Sequence, residues 1–276
     1  RYLGALMSSV ELGSTNHHAS PNLHGSSAFI SDLHLGTAGC RAERILDFLE
    51  HLNVEQLYLV GDIIDLERMQ QSVHWPESHT RVLQRLFQMT ALGTEVIYIP
   101  GNHDARIRAF AGTTFKGIKI RMNAIHTTQS GKRLLVTHGD QFDSELKIGS
   151  LKEKIGRAAY QWLVSFDVGV IRVRARFGYE DVSIASAMKL RIKSAQQYIA
   201  RYEALALSHA KRRGLAGIVC GHIHKPAIIE SDDVVYYNDG DWVEHCSVLV
   251  EATDGTLANY QWSSHSQVTE SAKQVS

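Results

Sequence analysis

Residues 96–104 read Val-Ile-Tyr-Ile-Pro-Gly-Asn-His-Asp, an apolar run that stops at Pro100-Gly101 and leads into three polar side chains. Four branched or aromatic residues in succession are typical of a buried strand, and the Pro-Gly pair ends it. Open α/β sheets bind their ligands outside the carboxyl ends of their strands. This stretch therefore predicts a largely parallel sheet with a functional site where its strands end.

The same arrangement of an apolar run followed by polar side chains recurs along the chain. Helical patterns at Arg41–Leu52 and Ser78–Leu92 separate the first three predicted strands, which favours βαβ units. The later strands have few helices between them, so we expect a second, more antiparallel sheet packed against the first. The predicted strands are Ala28–Ser31, Leu57–Val60, Val96–Ile99, Ile118–Met122, Arg133–Thr137, Ala216–Cys220, Val234–Tyr237, Ser247–Ala252 and Leu257–Trp262.

The composition narrows the class of protein. The chain has 276 residues, 44% of them hydrophobic and 21% charged, which is typical of a globular domain. Its 29 basic and 29 acidic residues cancel, so a globally basic nucleic-acid binder is not expected. The three cysteines are too few and too scattered for a disulfide framework, which favours a reducing, cytoplasmic compartment.

The organisation along the chain predicts one domain with an insertion. Residues 1–27 are small and polar, and we expect a disordered or truncated leader there. The domain is expected to span 28–265, followed by a flexible tail at 266–276. Residues 142–213 have almost no strand pattern and predict two or three helices. They hold 14 Lys and Arg against 7 Asp and Glu, a net charge of +7, so the rest of the chain carries −7.

Seven side chains at the predicted strand ends suit a metal centre. Two carboxylates, one amide and four imidazoles favour a pair of divalent ions of intermediate hardness, Mn²⁺ first and Fe²⁺ or Zn²⁺ as alternatives. Two such ions need a bridging carboxylate, and Asp62 on the middle strand is the natural candidate. The seven are Asp32, His34, Asp62, Asn102, His138, His222 and His224.

Together these motifs resemble those of the calcineurin-like metallophosphoesterase superfamily. The resemblance covers essentially residues 28–262. It implies a four-layer α/β/β/α sandwich in which the helical span is an inserted lid, with a dinuclear centre that hydrolyses phosphate esters or anhydrides. The motifs that carry it are Asp32-x-His34, Gly61-Asp62, Gly101-Asn102-His103-Asp104, His138 and Gly221-His222-x-His224.

The resemblance also assigns roles. His103 is expected to face the scissile phosphate and to protonate the leaving oxygen. Asp104 is expected to orient or polarise His103. Asn102 and His103 are expected to stabilise charge while a metal-bridging hydroxide attacks phosphorus. One ion is expected to take Asp32, His34, Asp62 and His224, and the other Asp62, Asn102, His138 and His222.

Within the superfamily, the chain is similar to the branch that contains the UDP-2,3-diacylglucosamine pyrophosphohydrolases of lipid A synthesis. Asp32-Leu33-His34-Leu35, His138-Gly139-Asp140 and the segment from Gly221 to Ala227 match that branch. The branch implies cleavage of a nucleotide diphosphate-linked lipid to UMP and a lipid monophosphate. The chain departs from it where well-known members carry Arg in place of His103 and Phe in place of Ile64.

The basic insertion is the candidate substrate-binding segment. It is expected to stand beside the metals, to clamp an anionic and partly apolar substrate, and to contact an anionic membrane at the inner face of the cytoplasmic membrane. A solvated basic face is the alternative. The candidate contacts are Arg172, Arg174, Arg176, Lys189, Arg191 and Lys193.

Several alternatives stay open at this point. A phosphodiesterase or phosphatase with a soluble substrate fits the same motifs, and a non-catalytic protein-binding scaffold fits the same fold. No nucleic-acid partner is expected, because no aromatic track accompanies the basic residues. Asp65 and Asp140 are candidates to hold the metal ligands in place, with turn or cap roles as the alternative. The segment 238–244 flanks the site or forms a structural turn.

Overall fold

The computed structural model describes residues 23–147, 182–263 and 267–270. Its helices are α1 Ala42–His51, α2 Leu66–Met69, α3 Glu77–Ala91, α4 Gln141–Lys147 and α5 Val182–Arg212, with a 3-10 helix at Ala105–Phe110. Its strands are β1 Leu23–Ile30, β2 Leu52–Leu59, β3 Glu95–Tyr98, β4 Thr114–Phe115, β5 Ile118–Ile120, β6 Ala124–Thr127, β7 Arg133–Val136, β8 Gly217–Cys220, β9 Ala227–Ser231, β10 Val234–Asn238, β11 Ser247–Glu251, β12 Leu257–Ser263 and β13 Gln267–Glu270. None of these helices is long and apolar enough to cross a membrane.

Within the described residues the strands form two sheets. The larger has the order β13-β12-β11-β1-β2-β3-β5-β4, and its strands β1, β2, β3 and β5 run parallel. The smaller has the order β6-β7-β8-β10-β9, with β7, β8 and β10 parallel. The parallel strands carry the site, because their carboxyl ends open into the loops that hold the polar motifs.

The central strands pack on both faces, as the two-residue period of a strand requires. In β2, Leu57 and Leu59 face α1 and α3, whereas Tyr58 faces the second sheet. In β8, Val219 faces the first sheet, and Ile218 faces α5 on the other side. Helices, sheet, sheet and helices therefore follow one another, which confirms the four-layer α/β/β/α sandwich.

The outer helices follow the apolar spacing of the sequence. In α1, Ile45, Phe48 and Leu49 are buried against the larger sheet, and α1 and α3 lie within one residue of the predicted bounds. In α5, Tyr202 and Ala206 are fully buried and lie one turn apart on the face that covers the smaller sheet.

Both predicted ends of the domain need correction. Leu23 to Ser27, assigned to the leader, belong to β1, which pairs with β2 from Leu23 onward and with β11 at Ser27. Neighbours on both sides supply the hydrogen bonds that this polar segment needs. The predicted tail likewise contains β13, which pairs with β12. Residues 1–22 and 271–276 lie outside the described residues.

The prediction for the second sheet was partly wrong. Strands β11 and β12 extend the first sheet instead of forming the second: β11 pairs antiparallel with β1, and β12 pairs antiparallel with β11. The second sheet is mixed, with parallel pairs in its centre and antiparallel pairs at its two edges. Strands β4, β6, β9 and β13 were not predicted. In the insertion, the described part consists of α4 and the long α5, and 148–181 lie outside the described residues.

Candidate metal centre

The loops after β1 and β2 run side by side and place their polar residues together. The backbone N–H of Asp32 donates to the carbonyl of Gly61 at 3.0 Å, and the N–H of His34 donates to the carbonyl of Asp62 at 3.0 Å. In the second sheet, the N–H of Gly221 donates to the carbonyl of His138 at 3.1 Å. These bonds align the ends of neighbouring parallel strands, so the motifs converge as predicted.

Five of the seven predicted ligands have a left-handed backbone. Their φ angles lie between 49° and 70°, a region that residues other than glycine rarely adopt. Such a conformation costs about 1–3 kcal/mol per residue and persists only where the surrounding structure imposes it. It turns alternate side chains of each loop toward one point. The five are Asp32, His34, Asp62, His222 and His224.

A first group of donors surrounds Asp32. This carboxylate is fully buried, and its Oδ1 lies 2.9 Å from Nε2 of His224 and 3.7 Å from Nε2 of His34. Its Oδ2 accepts hydrogen bonds from the hydroxyl of Ser31 and the N–H of His222. One oxygen is thus fixed by the protein, and the other faces two imidazole nitrogens.

A second group surrounds Asp62. Its Oδ2 lies 3.4 Å from Nε2 of His138, and its Oδ1 accepts the N–H of His103 at 2.8 Å. The ligand atoms of Asp62, His138 and His222 all lie within 4.8 Å of one another, as do those of Asp62, His34 and His103. Asp62 therefore belongs to two clusters of candidate ligand atoms, one with His138 and His222 and one with His34 and His103.

Two buried atoms in this centre have no hydrogen-bond partner among the described residues. They are Oδ1 of Asn102 and Nε2 of His138. His138 places its Nδ1 2.7 Å from the carbonyl of Val60, so Nδ1 donates to that carbonyl and Nε2 is the nitrogen left for a cation. Unpaired buried acceptors are costly in a protein, but a divalent cation satisfies both. The donor set therefore fits divalent metal binding.

The electrostatics favour cations in the centre. Burial by itself would raise the pKa of Asp62 and Asp32, but the neighbouring imidazoles lower the pKa of Asp62 to about 2 and hold that of Asp32 well below its usual range. Burial opposes charging of His34, yet Asp32 and Asp65 raise the pKa of its ring to about 10. The carboxylates thus stay ionised and attract positive charge.

Asp65 joins two imidazoles of the site. Its Oδ2 lies 3.0 Å from Nδ1 of His34, and its Oδ1 lies 3.0 Å from Nδ1 of His103. It also caps α2 by accepting the N–H of Arg68. Both alternatives considered for Asp65 therefore hold, and each ring is left with Nε2 toward the centre. Asp140, in contrast, pairs with Arg108 at 2.8 Å.

The expectation for Asp104 needs correction. Its carboxylate is fully buried and accepts the N–H of Gly101 and Ile63 and the hydroxyl of Tyr98. Among the described residues, its contacts do not include His103, which is oriented by Asp65 instead. Asp104 therefore joins the loops after β2 and β3 through buried hydrogen bonds, and its carboxylate does not face a phosphate.

Sequence reasoning missed two residues next to the ligands. The hydroxyl of Ser31 donates to Asp32 and lies 2.7 Å from the buried Asp239, so the segment 238–244 does flank the centre. Asp143 of α4 lies 3.3 Å from Nε2 of His222. The only sequence signal for either is its position at a strand end or just after His138.

The predicted substrate contacts fall largely outside what the structure describes. Arg172, Arg174 and Arg176 lie outside the described residues. The backbone of Lys189, Arg191 and Lys193 belongs to α5, without described side chains. The predicted clamp therefore stays a prediction.

The sandwich and its shared-carboxylate cluster define a phosphoester hydrolase. The family model for calcineurin-like phosphoesterases matches residues 26–226, and the chain belongs to that family. This confirms the predicted class of enzyme.

Among individual proteins, the chain is similar to a UDP-2,3-diacylglucosamine hydrolase of Xanthomonas campestris pv. campestris, at 27% identity over 82% of this chain and 95% of that protein. A protein of the same name from Porphyromonas gingivalis is 29% identical over 41% of this chain and 45% of its own length. A solved structure of vacuolar protein sorting 29 from Cryptosporidium parvum aligns over 89% of this chain and 94% of its own, with a TM-score of 0.43 and 12% identity.

Proposed function

We propose that this protein is a dinuclear metal-dependent hydrolase that cleaves a nucleotide diphosphate-linked lipid, of the UDP-2,3-diacylglucosamine kind, to UMP and a lipid monophosphate. The observation that carries the reaction class is the convergence of two buried aspartates and several imidazoles, in which Asp62 lies close to His34, His103, His138 and His222. The similarity to UDP-2,3-diacylglucosamine hydrolases, which extends over most of the chain, supports the substrate.

The ligands divide into two sets that share Asp62. One ion would be held by Asp32, His34, Asp62 and His224, and the other by Asp62, Asn102, His138 and His222. This mixture of oxygen and imidazole donors suits Mn²⁺, with Fe²⁺ or Zn²⁺ as the alternatives. When bound, the ions supply Lewis acidity to a phosphoryl oxygen and to the attacking water.

His103 is the residue that acts on the substrate in this proposal. Its side chain is 23% exposed, and its Nε2 points toward the centre, 3.9 Å from Oδ2 of Asp62. Because Asp65 holds Nδ1, Nε2 is free to donate a hydrogen bond to a phosphoryl oxygen or a proton to the leaving oxygen. Asn102, which directly precedes His103 in the chain, would fix the same phosphoryl group from the side of the second ion.

A basic stretch of the chain, between the loop after β3 and the loop after β7, supports a membrane-associated substrate. From Ala105 to Gly139 the chain has seven Lys and Arg residues and no Asp or Glu. Four apolar side chains of this stretch, Phe110, Phe115, Met122 and Ile125, are 42–59% exposed. Cations mixed with exposed apolar groups favour an anionic lipid surface. Binding to phosphatidylglycerol vesicles that weakens with salt, without binding to phosphatidylcholine, is the expected result.

One observation favours a second candidate, a phosphodiesterase or phosphatase with a soluble substrate. His103 stands where well-known members of the lipid-cleaving branch carry Arg. An imidazole donates a proton readily near neutral pH, whereas a guanidinium does not.

The deciding experiment is a parallel assay of the Mn²⁺-loaded protein. UMP release from UDP-2,3-diacylglucosamine is compared with hydrolysis of bis-p-nitrophenyl phosphate, with Asp62→Ala as the inactive control. We expect the lipid substrate to have the higher kcat/KM by at least about a hundredfold. Turnover of the generic ester alone would exclude the lipid proposal and leave the phosphodiesterase. Metal analysis of the protein as purified, before Mn²⁺ is added, identifies the ions.

A further inference from the structure

A carboxylate from the helical insertion reaches the second group of ligands. Asp143 lies in the first turn of α4, five positions after His138, and it is buried. Its Oδ1 lies 3.3 Å from Nε2 of His222. The same oxygen accepts a hydrogen bond from the hydroxyl of Tyr198 on α5. Three elements, α4, α5 and the loop after β8, thus meet at one oxygen atom.

This contact determines which nitrogen His222 can offer to a metal. A histidine that binds a metal through one ring nitrogen usually donates the N–H of the other to a carboxylate or carbonyl group. With Nε2 beside Asp143, Nδ1 is the nitrogen left for the centre. The backbone of His222 is fixed as well, since its φ is 70° and its N–H donates to Oδ2 of Asp32.

The partner of Asp143 lies on a helix that is anchored to the sheet. Four residues after Tyr198, Tyr202 is fully buried, packs edge-to-face on Phe142 of α4 and lies 6.1 Å from the ring of His222. The position of Tyr198 is therefore set by the packing of α5, and α5 is the helix with which the insertion returns to the core.

We propose that Asp143 and Tyr198 are positioning residues for His222, and that through them the helical insertion sets the affinity of the second metal subsite. Asp143 fixes the ring through Nε2, and Tyr198 fixes Asp143. The proposal rests on the metal centre in the proposed function and is independent of the substrate.

The test measures metal binding without substrate. Apo-protein is titrated with Mn²⁺, and free Mn²⁺ is followed by electron paramagnetic resonance to give two dissociation constants. For Asp143→Ala we expect one of the two sites, the one that contains His222, to lose about 10–100-fold in affinity while the other changes little. Asp143→Asn should lie between, because its amide oxygen still accepts from Nε2. Tyr198→Phe should weaken the same site by a smaller factor.

Tyr202→Phe is the matched control. It removes a hydroxyl from the same helix, one turn away, and the polar neighbour of that hydroxyl is the thiol of Cys220, which is not a candidate metal ligand. Its two Mn²⁺ affinities should equal those of the wild type. Wild-type affinities in Asp143→Ala, or an equal loss at both sites, would overturn the proposal. If Asp143→Ala does not fold, Asp143→Asn and Tyr198→Phe decide by the same criterion. A failed lipid assay would leave these affinities unaffected, so the two proposals fail separately.

Discussion

Gly101 packs directly against the shared carboxylate of Asp62. A Cβ atom at position 101 would lie 2.3 Å from Oδ1 of Asp62 and within 2.7 Å of the ring of His138. Neither neighbour can withdraw, because both are almost completely buried. The loop after β3 therefore approaches the centre as closely as a backbone can.

Gly101→Ala should consequently displace two ligands at once. We expect Mn²⁺ binding to weaken by at least about tenfold, with a loss of about 1–3 kcal/mol in the free energy of unfolding from overpacking. Titration with Mn²⁺ and urea denaturation measure the two effects. Gly39→Ala is the control, since its added Cβ would meet nothing closer than 3.7 Å. Equal behaviour of the two variants would contradict the close packing.

Substitutions of Asp65 and Asp140 should have very different effects on kcat, although the sequence makes both residues candidates for the same role. Asp65→Asn loses the charge that orients His34 and His103, so we expect kcat to fall by about 10–100-fold. Asp140→Asn disturbs only the partly exposed pair with Arg108, and its effect on kcat should stay within about twofold. Steady-state kinetics on any hydrolysed ester suffice. A larger loss in Asp140→Asn would reverse this assignment.

Removing the metal should destabilise the fold. A ligand present at about a hundred times its Kd stabilises the native state by about 2.7 kcal/mol. Addition of EDTA should therefore lower the Tm of the wild type. In Asp62→Ala, which lacks the shared carboxylate, EDTA should leave the Tm nearly unchanged and no hydrolysis should be detected. A Mn²⁺-dependent rise in the Tm of Asp62→Ala comparable to that of the wild type would show that Asp62 does not bridge.

The role of His103 can be tested by comparing the turnover of two esters, one whose leaving group needs a proton and one whose leaving group does not. Gln at this position can still donate a hydrogen bond to a phosphoryl oxygen, but it cannot transfer a proton. His103→Gln should lower the turnover of an alkyl phosphodiester by about 10²–10⁴-fold. Turnover of the corresponding p-nitrophenyl phosphodiester should fall much less, because p-nitrophenolate leaves without protonation. Equal losses on both esters would assign His103 to binding alone.

Far from the centre, Glu251 should make stability depend on pH. It is fully buried, with Oε2 2.9 Å from Nε2 of His126 and Oε1 accepting the N–H of Gln129. Burial alone would raise the pKa of Glu251, but these contacts lower it below the ordinary 4.5. The ionised group therefore stabilises the fold above about pH 4.5, and this contribution is lost as the pH falls through the lowered pKa.

The variant Glu251→Gln isolates this contribution. At neutral pH it should unfold with about 1–3 kcal/mol less free energy than the wild type. The difference should shrink progressively below about pH 4.5. Groups that titrate in both proteins cancel, so urea denaturation of the pair across this range is sufficient. A difference that does not change with pH would mean that the charge of Glu251 is not what stabilises the fold.

Much of the sandwich was predictable because its central strands are buried on both faces. Leu57, Tyr58 and Leu59 form an unbroken apolar run for that reason. Segments that form strands mainly because of their pairing with neighbouring strands lack such an apolar run. In β1, a Cβ at Gly25 would lie 2.5 Å from the carbonyl of Glu251, so close packing requires a small residue where a strand pattern would have a large one. The short edge strand β4 is exposed and carries no alternation.

The convergence of the candidate ligands was predictable because each motif follows a strand in the sequence. Their supporting residues were harder to find, since support depends on contacts between distant segments. Ser31 meets Asp239 across 208 positions, and Asp143 meets Tyr198 across 55. The function assigned to Asp104 was wrong because adjacency to His103 in the chain does not imply contact. Its side chain points to the opposite side of the loop, into the core.

The left-handed backbone of the five ligands restricts which substitutions evolution or design can use there. A β-branched residue such as Thr or Val is strongly disfavoured at positive φ, whereas Asn and Asp tolerate it. His224→Asn should therefore keep the loop and lose only the ligand, while His224→Val loses both. His138 has no such constraint. Asn102 likewise lacks a positive φ, so the backbone restricts replacement least at positions 102 and 138, where the preference for a metal can be changed most readily.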